Sequence, residues 1–468
     1  MIRRFLTVVL IFNICFAAFS YPGKADLQVI IDTDCGSDDL RAICLMLASP
    51  RFNIHAVSTS DGAVSPEKGA IKVRSLLNSF YHEGIPVVQG DSYLMNEPPF
   101  RSVCEKINWG NEIIADNKKD LLAEIKSVFE RERTKVSMVC LGSMHNIWKM
   151  YAQDPNLFLF INRILWYNGI NNTNYNFDRA SADSVMKYFK NIEIISAADI
   201  YLPGNFPSRL GSFNSDYALR VAESVRELCS AHMKRIYCWD EMVPVYMLQP
   251  GLFEEKAENI YTFSGDTATL FHDYQEILDI EKINECQVFN GFPADNNLFA
   301  SDVAKHMDSI IINNGMREWR AGVLTNELHG HLGIYAIIGT KMGLRVREYF
   351  RTGVDDIKIT SFAGTTPPVS CMNDGLQVST GATLGHGLIN IADNEKKKPV
   401  AQFSYRGQTI EVSIKEEYRE RIKKDIIYGI QNYGLESDAY WIYVRRLAIK
   451  YWKDWDRHLI FDIKTIGI

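Results

Sequence analysis

Four aspartates fall within eight residues near the start of the chain: Asp32, Asp34, Asp38 and Asp39. The apolar residues before them are typical of a buried strand, and the apolar residues after them recur at helical spacing. The segment therefore predicts a strand-to-helix connection, which lies at the carboxyl edge of an open α/β sheet, where ligands bind. Four like charges this close repel one another unless a cation lies among them. A hard divalent ion with oxygen ligands fits best, Ca²⁺ more readily than Mg²⁺.

Helix capping is the alternative explanation for part of this segment. Ser37 or Asp38 could cap the helix, and acidic residues in a first turn suit the helix dipole. Capping accounts for one or two of the carboxylates, but hardly for Asp32 and Asp34 at the end of a buried strand. We therefore interpret the segment as a metal site.

The composition limits the classes of protein to which the chain can belong. With 468 residues, 46% of them hydrophobic, it can bury a large core and is expected to hold two domains. A formal net charge of −6 and the lack of a long basic run argue against a nucleic-acid partner. Beyond the N-terminus, no stretch is long and apolar enough to predict a membrane span.

The N-terminal residues have the pattern of an export signal. Arg3 and Arg4 precede an apolar run that ends at small residues near Ser20. We predict a signal peptide over residues 1–20 and an exported protein, periplasmic or secreted, with an uncleaved anchor as the alternative. Eight scattered cysteines remain after it, and the connectivity of any disulfides among them does not follow from their spacing.

Strands and helices alternate along most of the chain. Apolar runs predict strands at 54–59, 86–89, 136–141, 163–167 and 193–196, and amphipathic segments predict helices at 66–80, 120–131 and 182–189. This alternation predicts an α/β fold with a doubly wound, mainly parallel sheet. A new organisation near Gly315–Gly322 marks a boundary between a domain at 26–314 and a smaller α+β domain at 318–468.

Three segments of the first domain resemble one known family. Residues 32–39 resemble the DTDPGxDD signature of the inosine–uridine-preferring nucleoside hydrolases. Residues 141–147 resemble the GPLTNI turn of that family, and residues 239–253 resemble its HDP helix. The resemblance covers about residues 26–314. It implies a Ca²⁺ site built from three carboxylates and one main-chain carbonyl, those of Asp34, Asp39, Asp240 and Leu141.

The resemblance also implies a reaction. Hydrolysis of an N-glycosidic bond passes through an oxocarbenium-like sugar, so the site must supply an activated water on one face. Calcium lowers the pKa of that water, and Asp34 would be the general base. Asp38 and Asn176 would bind the ribose. His145, in the turn at 141–147, is interpreted as a turn or surface histidine.

Three positions depart from the pattern of the family. Asn174 stands where the family has Glu, and it can still bind substrate through a hydrogen bond without a charge. Ala63 replaces an asparagine expected near the scissile bond. Trp239 replaces the histidine before the metal-binding aspartate, where an indole can stack on a purine but cannot protonate a leaving base. The alternative for Trp239 is an aromatic residue of the core or of an interface.

Histidine, cysteine and glycine motifs occur in the second domain. His329, His331 and Cys371 are ligands of the kind that Zn²⁺ or Fe²⁺ takes, and His386 follows in a glycine-rich run. The alternative is a helix start with satisfied histidines and an ordinary glycine turn. The segments resemble the HGHLCPG, DSCxVDAIQ and TGCTFGKGN motifs of the E component of formylmethanofuran dehydrogenase over about residues 318–410. Two thiols of that pattern are replaced, by Gly333 and Ala382.

The sequence leaves three functions open. The leading hypothesis is an enzyme, a Ca²⁺-dependent hydrolase of a ribonucleoside or related ribosyl compound, with a bias toward purines. The second is a non-catalytic protein that binds calcium and a ribosyl ligand, and the third is a metal-handling protein that works through the C-terminal domain. In each case we expect a small-molecule partner, and the resemblance suggests a homo-oligomer.

Overall fold

The computed structural model describes residues 25–113, 121–131, 135–168, 173–197, 200–231, 235–280, 285–392 and 397–467. The predicted signal peptide at 1–20 lies outside these ranges. Among the described residues, the helices include none whose length and apolar character would let it span a bilayer. The eight cysteines after residue 20 all lie within these ranges, and none of them forms a disulfide there.

An eight-stranded sheet forms the centre of the first domain. Its strands are β1 (Leu27–Thr33), β2 (Phe52–Thr59), β3 (Val87–Gln89), β4 (Val136–Cys140), β5 (Ile161–Tyr167), β6 (Ile192–Ser196), β7 (Phe253–Ala257) and β8 (Ile260–Phe263). Their order is β3-β2-β1-β4-β5-β6-β8-β7, and all neighbours are parallel except β7 and β8. The prediction of a doubly wound, mainly parallel sheet is confirmed. The strand order reverses between β1 and β4, which makes this junction the switch point where such sheets bind ligands.

Helices cover both faces of this sheet. They are α1 (Ser37–Ala48), α2 (Pro66–Ser79), α3 (Arg101–Cys104), α4 (Leu121–Arg131), α5 (His145–Gln153), α6 (Thr173–Phe177), α7 (Arg179–Tyr188), α8 (Phe206–Leu210), α9 (Asp216–Ser230), α10 (Met242–Leu248) and α11 (Thr267–Leu278). Burial on both faces explains the apolar run in the middle of β1. Val29 and Ile31 pack into the core on one face, Ile30 packs into the core on the other, and all three are fully buried.

The second domain combines five helices with a five-stranded sheet. Its helices are α12 (Ser301–His329), α13 (Ile334–Phe350), α14 (Met372–Thr380), α15 (Glu416–Tyr433) and α16 (Asp438–Asp454). Its strands are β9 (Lys358–Ser361), β10 (Ile389–Ile391), β11 (Val400–Tyr405), β12 (Gln408–Ile414) and β13 (Phe461–Gly467), in the order β10-β9-β11-β12-β13. All neighbours are antiparallel except β9 and β10. This arrangement is the smaller α+β domain that was predicted.

Helix α12 contains the break in organisation seen in the sequence. Gly315 has φ of 84°, outside the helical range, and divides α12 into two helical parts. Val303 and Met307 of the first part already belong to the core of the second domain. The second core therefore begins before the boundary predicted at Gly315–Gly322.

The second domain packs against the amino edge of the first sheet. The Arg351 guanidinium donates to carbonyls at the end of α1 and at the start of β2, among them those of Leu47 (2.7 Å) and Phe52 (2.6 Å). In the loop before β3, the N–H of Gly84 donates to the carbonyl of Tyr349 (2.9 Å). The carboxyl edge, where the predicted site lies, faces the other way.

Candidate active site

The loop between β1 and α1 is a tight turn fixed by its own side chains. Cys35 has φ of 63°, in the left-handed region that non-glycine residues rarely adopt. Its N–H donates to Thr33 Oγ1 (2.9 Å), and Thr33 Oγ1 donates to Asp39 Oδ1 (2.6 Å). The N–H of Asp34 also donates to Asp39 Oδ1 (3.2 Å). The turn therefore holds the carboxylates of the first motif close to the end of β1.

Three carboxylates from two distant segments meet at this turn. Ligand oxygens of Asp38, Asp39 and Asp240 all lie within 4.8 Å of one another, and this is the one such group of three or more among the described residues. Asp39 and Asp240 are buried, and Asp38 is half-buried. Asp240 Oδ1 is buried without a hydrogen-bond partner. An unpartnered buried oxygen beside two further carboxylates fits the donor set of a hard cation such as Ca²⁺.

Asp34 lies beside this group and is held by main-chain N–H groups. The N–H of Gly36 donates to Asp34 Oδ1 (3.3 Å), and the N–H of Ala63 also bonds this carboxylate. Burial, together with the charges of Asp38 and Asp32, raises the pKa of Asp34 to about 7. Burial and the neighbouring carboxylates raise the pKa of Asp39 and of Asp240 well above the usual range. Ionising these carboxylates together costs free energy, because they are buried and repel one another, and a bound cation would offset that cost.

Asp32 serves the framework of the site. It is fully buried and accepts hydrogen bonds from Ser58 Oγ (2.5 Å) on β2 and Asn146 Nδ2 (2.8 Å) on α5. Burial raises its pKa to about 6. Asp32 therefore joins β1 to its neighbours, whereas the later aspartates of the segment lie at the carboxyl edge.

The turn after β4 brings Leu141 to the same edge. The N–H of Leu141 donates to the carbonyl of Asp32 (2.8 Å), which fixes this turn against β1. The carbonyl of Leu141, the predicted metal ligand, accepts from Asn174 Nδ2 (2.7 Å). Gly142 must be small, because a Cβ there would lie 2.7 Å from Ser60 Oγ and 3.1 Å from Asp34 Cβ.

The predicted substrate-binding residues have different environments. Asn174 is buried, and its amide nitrogen donates to two main-chain carbonyls, those of Leu141 and Tyr167. Asn176 is exposed, and its Oδ1 accepts from the guanidinium of Arg179 at 3.0 and 2.7 Å. Asn174 therefore supports a predicted metal ligand, whereas Asn176 is joined to a surface arginine. Their roles toward a sugar stay predictions.

Trp239 is part of an aromatic stack that precedes Asp240. Its indole is half-buried against the first core and stacks on Tyr237 with ring centroids 4.3 Å apart and planes at 23°. Tyr237 in turn contacts Tyr201, with centroids 4.8 Å apart. The structure thus gives Trp239 a packing role, and stacking on a base stays a prediction.

The sequence did not predict an ion pair that ties the two acidic segments together. Arg41 Nε on α1 bonds Glu241 Oε1 at 2.5 Å, and the side chains are 1% and 0% exposed. Arg41 also donates to the carbonyl of Tyr237 (2.9 Å). Because Glu241 follows Asp240, this pair fixes Asp240 against α1. The sequence signal for this ion pair was an arginine inside the apolar stripe of α1, next to Leu40. A charge at such a position is rarely buried without a partner.

A second buried pair supports the neighbouring loop. Arg101 donates to Asp61 Oδ1 (2.5 Å) and to the carbonyl of Gly62 (2.7 Å). The other oxygen of Asp61 accepts from the N–H groups of Tyr93 and Leu94, both at 2.9 Å. Gly62 packs so closely on Asp34 that a Cβ there would overlap Oδ2 of that carboxylate. The pair thereby fixes the segment that bounds Asp34.

His145 begins α5 and is more constrained than a turn histidine on the surface. Its Nδ1 bonds Asp178 Oδ2 (2.7 Å), and its ring stacks on Tyr93 with centroids 3.9 Å apart and planes at 13°. Asp178 also caps α7, accepting from the N–H of Ser181 (3.0 Å). The imidazole is therefore held in one orientation by two neighbours.

In the second domain, the predicted metal ligands are only partly brought together. The rings of His329 and His331 have centroids 4.3 Å apart, and His329 Nδ1 bonds Asp374 Oδ2 (2.7 Å). His386 instead bonds the carbonyl of Gly381 (2.9 Å). Within the described part of this domain, Cys371 and His386 do not join the two histidines in a group of three ligand atoms close enough for one ion. His329 Nε2 is buried without a hydrogen-bond partner.

Comparison with family models identifies the first domain. Residues 29–296, more than half of the chain, match the model of the inosine-uridine preferring nucleoside hydrolases. The chain belongs to this family. Residues 328–450 match a second model, described as FmdE, molybdenum formylmethanofuran dehydrogenase operon. Both resemblances drawn from the sequence are therefore confirmed, in the predicted two-domain order.

Individual relatives of this nucleoside hydrolase match a shorter stretch of the chain than the family model does. The non-specific ribonucleoside hydrolase RihC of Escherichia coli is 28% identical over 150 residues, which are 31% of this chain and 49% of the relative. RihC of Escherichia fergusonii matches with the same identity and coverage. The chain thus spans about half the length of the curated relatives it matches.

Solved structures of nucleoside hydrolases cover a larger share of this chain than the RihC sequences do. A purine-preferring ribonucleoside hydrolase from Gardnerella vaginalis superposes with a TM-score of 0.45 at 16% identity, covering 55% of this chain and 98% of that one. A plant nucleoside hydrolase, PpNRh1, superposes with a TM-score of 0.43 at 19% identity, covering 56% and 100%.

Proposed function

We propose that the chain hydrolyses the N-glycosidic bond of a ribonucleoside or related ribosyl compound in a Ca²⁺-dependent reaction. Membership of the nucleoside hydrolase family supports the reaction class. The observation that carries the proposal is the meeting of Asp38, Asp39 and Asp240 at the switch point of the sheet, with Asp34 beside them. Burying carboxylates from two segments about 200 residues apart without a counter-charge costs free energy, and side-chain packing alone does not offset that cost.

The calcium ligands in this proposal are the carboxylates of Asp34, Asp39 and Asp240 and the carbonyl of Leu141. The unpartnered Asp240 Oδ1 and the raised pKa values of the three aspartates support a cation at this point. Bound calcium would neutralise these charges and lower the pKa of a water molecule. The Leu141 carbonyl has a second lone pair that can bind while Asn174 occupies the first.

The residues of the chain divide the remaining work of hydrolysis. Asp34, oriented by the N–H groups of Gly36 and Ala63, accepts the proton of the water that attacks the sugar. Asp38, which is half-buried, accepts from a ribose hydroxyl. Trp239, which precedes Asp240, offers an aromatic face to a purine base. The resemblance assigns these roles, and the nearness of Asp34 and Asp38 to the carboxylate group supports those of the two aspartates.

The test is release of free base and sugar from a panel of purine and pyrimidine ribonucleosides, measured by chromatography with calcium and with a chelator. Asp34→Asn should lower turnover by at least ~10²-fold while the protein stays folded, because it removes the base and conserves volume. Asp26→Asn is the matched control, since Asp26 is 40% exposed and pairs with Arg51 on the surface. Undiminished turnover in the Asp34 variant would refute the role of Asp34.

A binding protein is the second candidate, and two observations favour it. Asn174 stands where the resemblance expects Glu, and its amide is committed to main-chain carbonyls. Ala63 is buried and offers no polar side chain near Asp34. Calcium binding measured by calorimetry, with no base released from any nucleoside, would favour this candidate over the enzyme.

Two further parts of the proposal concern the cell and the assembly. Export through residues 1–20 would deliver the protein to the periplasm or the medium, which fractionation of the cells would test. Self-association is expected from the resemblance, and light scattering of the purified protein would measure it. Metal analysis of the full chain, with and without His329→Ala, would test for Zn²⁺ or Fe²⁺ in the second domain.

A further inference from the structure

The departing base of a nucleoside needs a proton, because a base that leaves as an anion is a poor leaving group. Trp239, in the position before Asp240, has an indole that cannot supply this proton at neutral pH. Ala63, whose main-chain N–H bonds Asp34, has no side-chain proton to give. If the chain is a hydrolase, as proposed above, the proton comes from another group near Asp34 or from solvent.

His145 is connected to the Asp34 loop by short contacts. The hydroxyl of Tyr93, on whose ring His145 stacks, bonds Ser143 Oγ (2.6 Å) and the carbonyl of Asp61 (2.9 Å). Ser143 follows Gly142, which packs on Asp34 Cβ. The imidazole therefore lies at the rim of the same carboxyl edge, within two contacts of the loops that touch Asp34.

The pair of His145 and Asp178 has the arrangement of an oriented acid. Asp178 bonds Nδ1, so Nδ1 carries a proton and Nε2 is the atom left to exchange one. The side chains are 23% and 17% exposed, which is enough to meet a ligand and too little to move freely. Asp178 is itself fixed as the cap of α7.

Charged and polar groups from three elements lie around this imidazole. Asp178 lies against it from the start of α7, Asp32 acts on it from β1, and the neutral phenol of Tyr93 covers its face. Lys149, one turn further along α5, is paired with Asp91. Among the described residues, these contacts give His145 anionic or neutral neighbours, apart from Lys149, which is paired with Asp91.

We propose that His145 is the general acid that protonates the departing base, and that Asp178 positions its imidazole. As the bond between the anomeric carbon and the base nitrogen breaks, its electron pair stays on the base, which takes the proton of His145 Nε2. Water forms the new bond to the anomeric carbon and gives its proton to Asp34. Asp34 then releases its proton to solvent and the neutral imidazole regains one, so protons and electrons balance.

The test compares two ribosides that differ in their need for an acid. Nitrophenolate leaves without protonation, so nitrophenyl riboside reports the rest of the reaction, whereas a purine nucleoside needs the proton. His145→Gln should lower purine nucleoside turnover by ~10²-fold or more, and it should remove the fall in rate at alkaline pH. It should leave nitrophenyl riboside turnover nearly unchanged.

Two further variants complete the experiment. His272→Gln is the matched control, because His272 is 70% exposed on α11, and it should leave both activities unchanged. Asp178→Asn keeps a residue that caps helices well, so it should fold. It should move the alkaline fall of purine nucleoside turnover to lower pH, because the imidazolium loses its counter-charge, and a merely structural role would not move it.

The outcomes separate this inference from the proposed function. Equal losses on both ribosides in the His145 variant, or no loss on the purine nucleoside, would overturn the role of His145 and leave the hydrolase intact. An unchanged alkaline limb in the Asp178 variant would overturn the positioning role. If the native protein cleaves neither riboside, the proposed function fails and this inference fails with it.

Discussion

Replacing Arg41 by methionine tests whether the buried ion pair holds the two acidic segments together. Arg41 donates to Glu241 Oε1 (2.5 Å) and to the carbonyl of Tyr237 (2.9 Å), and both side chains of the pair are almost completely buried. Methionine keeps much of the volume of arginine and removes the charge. Glu241 would then keep uncharged side-chain partners, the hydroxyl of Tyr274 at 3.5 Å and the thiol of Cys238.

The expected loss is large because one charge stays buried without its partner. Breaking a buried pair in this way costs about 3–5 kcal/mol, whereas replacing both partners by apolar residues is often neutral. A domain of about 290 residues has an unfolding entropy of about 0.6 kcal/mol/K, so 1 kcal/mol corresponds to about 1.6 °C in Tm and Arg41→Met should lower Tm by roughly 5–8 °C. Arg41→Met combined with Glu241→Leu should recover most of this loss.

Thermal unfolding followed by circular dichroism, with urea unfolding as a second measure, gives these values. Arg51→Met is the matched control, because Arg51 pairs with Asp26 at 47% and 40% exposure, and exposed pairs contribute less than about 1 kcal/mol. Equal losses in the Arg41 and Arg51 variants would refute the reasoning. A double variant no more stable than Arg41→Met would show that lost packing, and not the unpaired carboxylate, causes the effect.

Two other substitutions test the site and the domain interface. Gly62→Ala places a Cβ against Asp34 Oδ2 and should lower nucleoside turnover by about 10²-fold, while Gly204→Ala, with open space around it, should not; equal activities would contradict this. His82 bonds the Glu348 carbonyl (2.8 Å), and burial lowers its pKa from 6.5 to about 3, so below pH 6.5 protons bind the unfolded chain preferentially. Between about pH 7 and pH 5 the free energy of unfolding should therefore fall by about 2 kcal/mol more in the unsubstituted protein than in His82→Asn. Urea unfolding at several pH values measures this, and an equal fall in the two proteins would refute the prediction.

The sequence was informative where local chemistry decides the structure. The apolar run of β1 and the acidic residues after it predicted a strand, a turn and a helix, because burial on both faces and the helix period leave few alternatives. The meeting of Asp39 and Asp240 was predicted only through resemblance. Nothing local to either residue indicates a partner about 200 positions away.

The hydrogen-bond partners of individual side chains could not be predicted from the sequence. The sequence did not indicate that the Asn174 amide supports the Leu141 carbonyl, because a buried amide satisfies its hydrogen bonds wherever acceptors lie. His386 was expected near the other histidines of the second domain, yet it bonds the Gly381 carbonyl in its own turn. A short glycine-rich loop offers local acceptors that compete with a more distant site.

Arg351 shows how the second domain can influence the site without lying over it. It follows α13 in the left-handed region, with φ of 47°, and its guanidinium donates to the carbonyls of Met46, Leu47 and Ser49. These are the last carbonyls of α1, the negative end of the helix dipole, where a cation is favourable. Asp38 and Asp39 lie at the other end of the same helix. The second domain therefore fixes the helix that carries two of the site carboxylates, and its described contacts leave the carboxyl edge open to a ligand.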